Sequence, residues 1–244
     1  MLFRSPAVSR AFLEPGARDD VGLLARLAAA GPGPEGAGVM HGRGEPGARG
    51  GYSLYVPEYL DPAEPVPAVV ALHGGSGNGA AFLWTWLADA RTRGMVLVAP
   101  TALGGTWSLM EPETDAANIA AILDEVGARH ALDRARLLLT GMSDGGTFAL
   151  AAALRAALPF THLAPVATGF HPMLVSMGET ARLAGLPVYL VHGALDWMFP
   201  AARAREVAEA LIACGARVVF HEIADLSHAY PRVENPQIAT WFLS

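Results

Sequence analysis

From residue 51 onward, short apolar runs alternate with longer stretches in which small and apolar residues recur at helical spacing. The runs at 52–56, 68–72, 95–99, 136–140, 163–168, 188–192 and 217–223 predict strands. The first of them, ending at Pro57, reads as an edge strand. Segments 80–93, 115–130, 145–157, 201–213 and 236–242 predict helices, with Thr114 or Asp115 available to cap the second. Strands separated by helices imply an α/β fold with a doubly wound, mostly parallel sheet and right-handed crossovers. The apolar runs are continuous rather than alternating, as expected of strands covered on both faces.

Residues 1–48 follow a different pattern. Positions 21–30 predict one short amphipathic helix, capped by Asp19 or Asp20. Gly31-Pro32-Gly33-Pro34-Glu35-Gly36 follows, a run that no regular element tolerates. This stretch is expected to form an N-terminal extension leading into a domain at 49–244. It either packs over that domain or pairs with its first strand.

The composition removes several function classes. With 52% hydrophobic and 16% charged residues in a chain of 244, one large buried core is expected. No apolar run approaches the roughly 18–20 residues of a membrane span. A net charge of −6 without a basic cluster argues against nucleic acid and against an anionic membrane as partners. Cys214 stands alone, so no intrachain disulfide can form. The start, Met1-Leu2-Phe3-Arg4-Ser5-Pro6, carries no apolar leader region, and together with the cysteine count it points to the cytoplasm. Neither H-E-x-x-H nor paired cysteines nor a carboxylate cluster occurs, so neither a metal nor a cofactor is expected.

The chemistry is concentrated where strands end. Gly141-Met142-Ser143-Asp144-Gly145-Gly146 directly follows an apolar run and precedes an Ala/Leu-rich helical segment. That context turns a common string into a strand-to-helix turn that pushes a serine hydroxyl out of the sheet. A serine hydroxyl needs a base, and the base needs an orienting acid. Asp196, just past the run ending at His192-Gly193, is the candidate acid; Asp225 is a fallback. His228, in a loop, is the candidate base, whereas His221 falls within a strand. An oxyanion hole requires two N–H donors. Asp144 is expected to supply one, and Gly75 or Ser76 in His73-Gly74-Gly75-Ser76-Gly77 the other. His73 itself, placed before the glycines, reads as a structural support of that loop.

These segments, with Tyr55-Val56-Pro57-Glu58-Tyr59 and Ser227-His228, resemble the α/β-hydrolase superfamily. Within it they are most similar to the phospholipase/carboxylesterase group of small serine esterases. Polyhydroxyalkanoate-depolymerase-like and dienelactone-hydrolase-like groups lie nearby. The resemblance covers about residues 50–244 and implies an ester hydrolase forming an acyl-enzyme on Ser143. A thioesterase, a small serine peptidase or an inert binding protein on the same fold remain alternatives. Residues 169–186 are too few for a lid of several helices, so an open pocket for a small-molecule ester is expected. Trp107, Phe170, His171, Trp197, Met198 and Phe199 are candidates to line it. Monomer and homodimer both stay open.

Overall fold

The computed structural model describes residues 6–244 apart from 32, 157 and 177. Among these, eight strands form one sheet: β1 Gly38–Gly42, β2 Tyr52–Val56, β3 Val66–Leu72, β4 Val96–Pro100, β5 Leu132–Met142, β6 His162–Val166, β7 Pro187–Gly193 and β8 Arg217–Ile223. The helices are α1 Pro6–Ala11, α2 Val21–Ala30, α3 Gly79–Phe82, α4 Leu87–Arg93, α5 Glu113–Gly127, α6 Asp144–Arg155, α7 Met173–Ser176, α8 Ala201–Ala213 and α9 Asn235–Leu243. The strand order is β1-β2-β4-β3-β5-β6-β7-β8. Pairs β1–β2 and β2–β4 are antiparallel and the other pairs are parallel.

Alternation along β3 shows how the sheet serves two cores. Ala68, Val70 and Leu72 face one side, packed with Ile119 of α5, Phe148 of α6 and Leu211 of α8. Val69 and Ala71 face the other, with Leu87 of α4 and Ile238 of α9. Both faces are dry, which is why the strand sequence shows no polar alternation.

Several boundaries differ from the sequence expectation, among them β5, which starts at Leu132 rather than 136, and α5, which starts at Glu113 with Pro112 at its N-cap and so takes Thr114 and Asp115 inside the helix. β2 is an internal strand, because Gly38–Gly42 pairs along its whole length, Met40 opposite Leu54. The predicted helix at 80–93 is interrupted by a 3₁₀ turn at Leu83–Thr85. There Leu83 and Trp86, three apart, are both buried, and the tighter turn brings i and i+3 onto one line. Helix α6 ends at Arg155, and position 157 of its predicted span lies outside the described residues. Asp20 caps α2 by accepting from the Leu23 N–H at 2.9 Å.

The N-terminal segment is held to the sheet domain by two arginines of α4. Arg91 donates to Ser9 O and Oγ and pairs with buried Glu58 at 3.3 Å. Arg93 pairs with Glu14. Leu13, Leu23 and Leu27 form a small cluster of their own against Tyr59.

Candidate active site

The site lies beyond the carboxyl ends of β3, β5, β7 and β8, where ligands of open parallel sheets bind. β5 runs straight into Ser143, and α6 starts one residue later. Ser143 takes φ 55° and ψ −117°, outside the regions a side chain favours. This turn needs bare backbone around it. A Cβ on Gly145 would stand 2.6 Å from the carbonyl oxygens of both Leu72 and His73. Ser143 N–H donates to Val166 O at 2.9 Å, which locks the turn onto β6.

Three side chains from three distant loops meet here. Ser143 Oγ lies 3.1 Å from His228 Nε2. His228 Nδ1 lies 2.8 Å from Asp196 Oδ2. A carboxylate only accepts, so Nδ1 carries a proton and Nε2 is left to accept from the serine hydroxyl. Such a chain can take the proton from an attacking hydroxyl and return it to a leaving group. Burial works to raise the Asp196 pKa, but hydrogen bonds from Phe199 N–H, His228 and Met198 N–H outweigh it and hold the carboxyl below its ordinary value. An ionised Asp196 can hold the imidazole in this orientation and stabilise the charge the ring would gain on taking a proton. His221 is turned elsewhere, 2.8 Å from Glu234.

The N–H groups expected to face a developing oxyanion differ in what each already does. Asp144 N–H opens α6, where the first turn has no intrahelical partner. Ser76 N–H is committed to Gly105 O at 3.0 Å, which removes Ser76 from the pair. Gly75 N–H has no such partner among the described residues, which leaves it free to donate. The loop is braced from below by His73. Its Nδ1 donates to Gly74 O at 2.6 Å, and its Nε2 accepts from Ala102 N–H at 3.1 Å. Burial lowers the His73 pKa, in keeping with a ring that must leave Nε2 free to accept.

The predicted lining residues divide. Trp197 is 74% exposed and sits edge-on to His228, 6.2 Å between ring centres. Phe199 packs nearly perpendicular to the same ring at 5.3 Å. Met198 is partly exposed beside them, and His171 is exposed with Nδ1 accepting from Met173 N–H. Trp107 and Phe170 do not line an open pocket; both are core residues with under 3% exposure. Trp107 instead donates Nε1–H to His73 O at 2.8 Å and lies between His73 and Phe148. It props the His73–Gly77 loop from within the core on one face of the sheet.

Two participants escape sequence reasoning. Thr106 donates to Asp144 Oδ2 at 2.5 Å, tying the loop after β4 to the start of α6. Buried Asp115 shapes that loop by accepting from Leu103 and Ser108 N–H groups. Neither belongs to a motif; the loop's two glycines were the only hint of a close approach. Among the described residues no group of three or more His, Cys, Asp or Glu is placed to hold a metal ion, and no helix is long and apolar enough to cross a membrane.

The sequence profile of the phospholipase/carboxylesterase family matches residues 113–243, just over half of the chain. The chain belongs to that family. This esterase family member is 30% identical over 125 residues to feruloyl esterase C of Emericella nidulans, a match taking in 48% of this chain and 46% of that protein. The chain thus spans about half the length of that relative. Among solved structures it is similar to a thermophilic esterase of the Planctomycetes species Thermogutta terrifontis in its butyrate-bound form. The TM-score is 0.64 at 18% identity, covering 79% of this chain and 88% of the other. It is also similar to acyl-protein thioesterase 2 of Zea mays, with a TM-score of 0.62 at 18% identity, covering 79% and 97%. At such identities the likeness is one of fold, and the fold is that of α/β-hydrolase esterases.

Proposed function

We propose that this family member is a serine carboxylesterase that hydrolyses small acyl esters through an acyl-enzyme on Ser143. The observation that carries the reading is the unbroken hydrogen-bonded series from Ser143 Oγ through His228 to Asp196. Ser143 Oγ attacks the ester carbonyl while its proton passes to His228 Nε2. The carbonyl oxygen becomes an alkoxide held by the N–H groups of Gly75 and Asp144. The C–O bond to the alcohol then breaks as His228 returns the proton to the departing oxygen. Water, deprotonated by the same imidazole, releases the acid and restores the serine.

The short segment after β6, whose described residues hold only α7 and one 3₁₀ turn, supports an open pocket and soluble short-chain esters. The exposed Trp197 face beside His228 offers a flat apolar surface to either half of the ester.

A fluorophosphonate probe tests the reading. Wild type is expected to label stoichiometrically and Ser143→Ala not at all. Absence of labelling on the folded wild type overturns the proposal. A series of p-nitrophenyl esters tests the pocket: kcat/KM is expected to peak at short acyl chains, and a preference for long chains contradicts the open site.

A further inference from the structure

We infer that His192 is a positioning residue for the reaction, fixing the loop that presents both Asp196 and Phe199 to His228; the inference rests on the reading of Ser143, His228 and Asp196 given above. His192 lies in β7, is fully buried, and does not touch Ser143 or His228 in any hydrogen bond. Its Nε2 stands 2.8 Å from Phe199 O and 3.5 Å from Asp196 Oδ2. A carbonyl oxygen only accepts, so Nε2 carries the hydrogen and points it into the acid loop. Its Nδ1 has no hydrogen-bond partner among the described residues.

That orphan atom makes the position informative. A buried acceptor without a donor costs stability, and an apolar side chain of similar size would avoid the cost. What an apolar side chain would forfeit is the Nε2–H. This hydrogen holds the Phe199 carbonyl, while the Phe199 N–H holds Asp196 Oδ1 at 2.8 Å. The same peptide segment carries the Phe199 ring that packs on His228. One donor in the strand therefore closes a four-residue loop, 196–199, around the acid and aims its second oxygen at His228 Nδ1. The loop has no regular structure of its own to do this. Gly193, next in the strand, lets the chain from 226–227 lie against it, since a Cβ there would stand 2.3 Å from Leu226 O. The strand end is thus shaped on one side to receive the histidine loop and on the other to clamp the acid loop.

Two substitutions of equal polarity and different reach test this. His192→Gln can carry an amide N–H to about the place of Nε2, whereas His192→Asn presents its amide at the level of Nδ1. On a p-nitrophenyl ester, His192→Asn is expected to lose about 10- to 100-fold in kcat with KM within about twofold, the usual cost of a misplaced catalytic group. His192→Gln is expected to stay within about fivefold of wild type in kcat. Ser143→Ala and Asp196→Ala run alongside. If Ser143→Ala keeps its activity, the proposed function itself fails. If Ser143→Ala is inactive but His192→Asn matches wild type, raises only KM, or falls no further than His192→Gln, the positioning role is overturned and the function stands. Near-UV circular dichroism checks folding. The ¹⁵N imidazole spectrum of the wild type provides a readout independent of any variant. A proton on Nε2 of His192 and none on Nδ1 is expected, and the reverse overturns the inference.

Discussion

A methyl group on Gly75 would stand 2.7 Å from Asp144 Oδ2, so the residue proposed to supply one oxyanion donor is in near-contact with the side chain of the residue supplying the other. The two donors are not independent. Asp144 is itself tied to Thr106, so its carboxylate has little room to retreat. Gly75→Ala is expected to displace the loop and lower kcat by about 10²-fold, the scale of losing one oxyanion donor. Asp144→Ala removes the obstructing carboxylate but keeps the backbone N–H. The double variant is therefore expected to recover activity above Gly75→Ala alone. Steady-state kinetics of the cycle checks this; strict additivity would sink the contact argument.

Ser143 holds a backbone conformation that glycine adopts freely and other residues resist. Ser143→Gly and Ser143→Ala should both be inactive but differ in stability. The glycine variant relieves strain of about 1–3 kcal/mol, and is expected to melt several degrees above the alanine variant, since about 1 kcal/mol moves Tm by roughly 2–4 °C at this chain length. Equal melting temperatures in calorimetry would show the turn to be unstrained.

Asp89 in α4 is buried, and burial pushes its pKa up to about 7 against a hydrogen bond from Asn235 that works the other way. Between its ordinary value of 3.8 and about 7, the folded chain holds a proton that the unfolded chain has released. Stability therefore falls as pH rises through this window and changes no further above it on Asp89's account. Asp89→Asn keeps an acceptor for Asn235 and removes the titration. The variant is expected to be more stable than wild type at pH 8 and to converge with it near pH 4. Denaturant midpoints across that range measure the difference; a constant gap would exclude Asp89 as the source.

Arg91 and Glu58 form a nearly fully buried pair, with side-chain exposures of 2% and 7%. Arg91→Ala leaves the Glu58 carboxylate, among the described residues, with the Tyr55 hydroxyl alone and removes both bonds to Ser9. A loss of about 3–5 kcal/mol is expected. Because Ser9 lies in α1, limited proteolysis should cut the N-terminal segment faster in the variant, and an unchanged digestion pattern would show that other contacts hold it.

Much of this arrangement could be read from residue order. The elbow was visible at Ser143 because an apolar run, a G-x-S-x-G string and a helical segment stand in sequence. Asp196 and His228 were visible because each follows a strand by a few residues. By contrast, the position of β1 was not legible, although pairing of residues 1–48 with the first strand was one of two expectations. Gly38-Val39-Met40-His41-Gly42 has glycine at both ends and little strand character, and it becomes a strand through its pairing with β2. The orientation of Trp107 is not legible for a related reason. Its position after a strand end suggested a pocket wall, but only packing against Phe148 and His73 decides that it points inward.

The sequence by itself determined which segments are strands and helices along most of the chain, and which residue types end up at the strand tips. Those properties depend on neighbours a few positions away, through periodicity and turn chemistry. Only the tertiary structure decided which N–H groups are free, which aromatic rings are buried, and that Thr106 and His192 serve the site. Each of these depends on a partner at some distance along the chain or on how a loop closes, and such contacts are set by packing rather than by local preference.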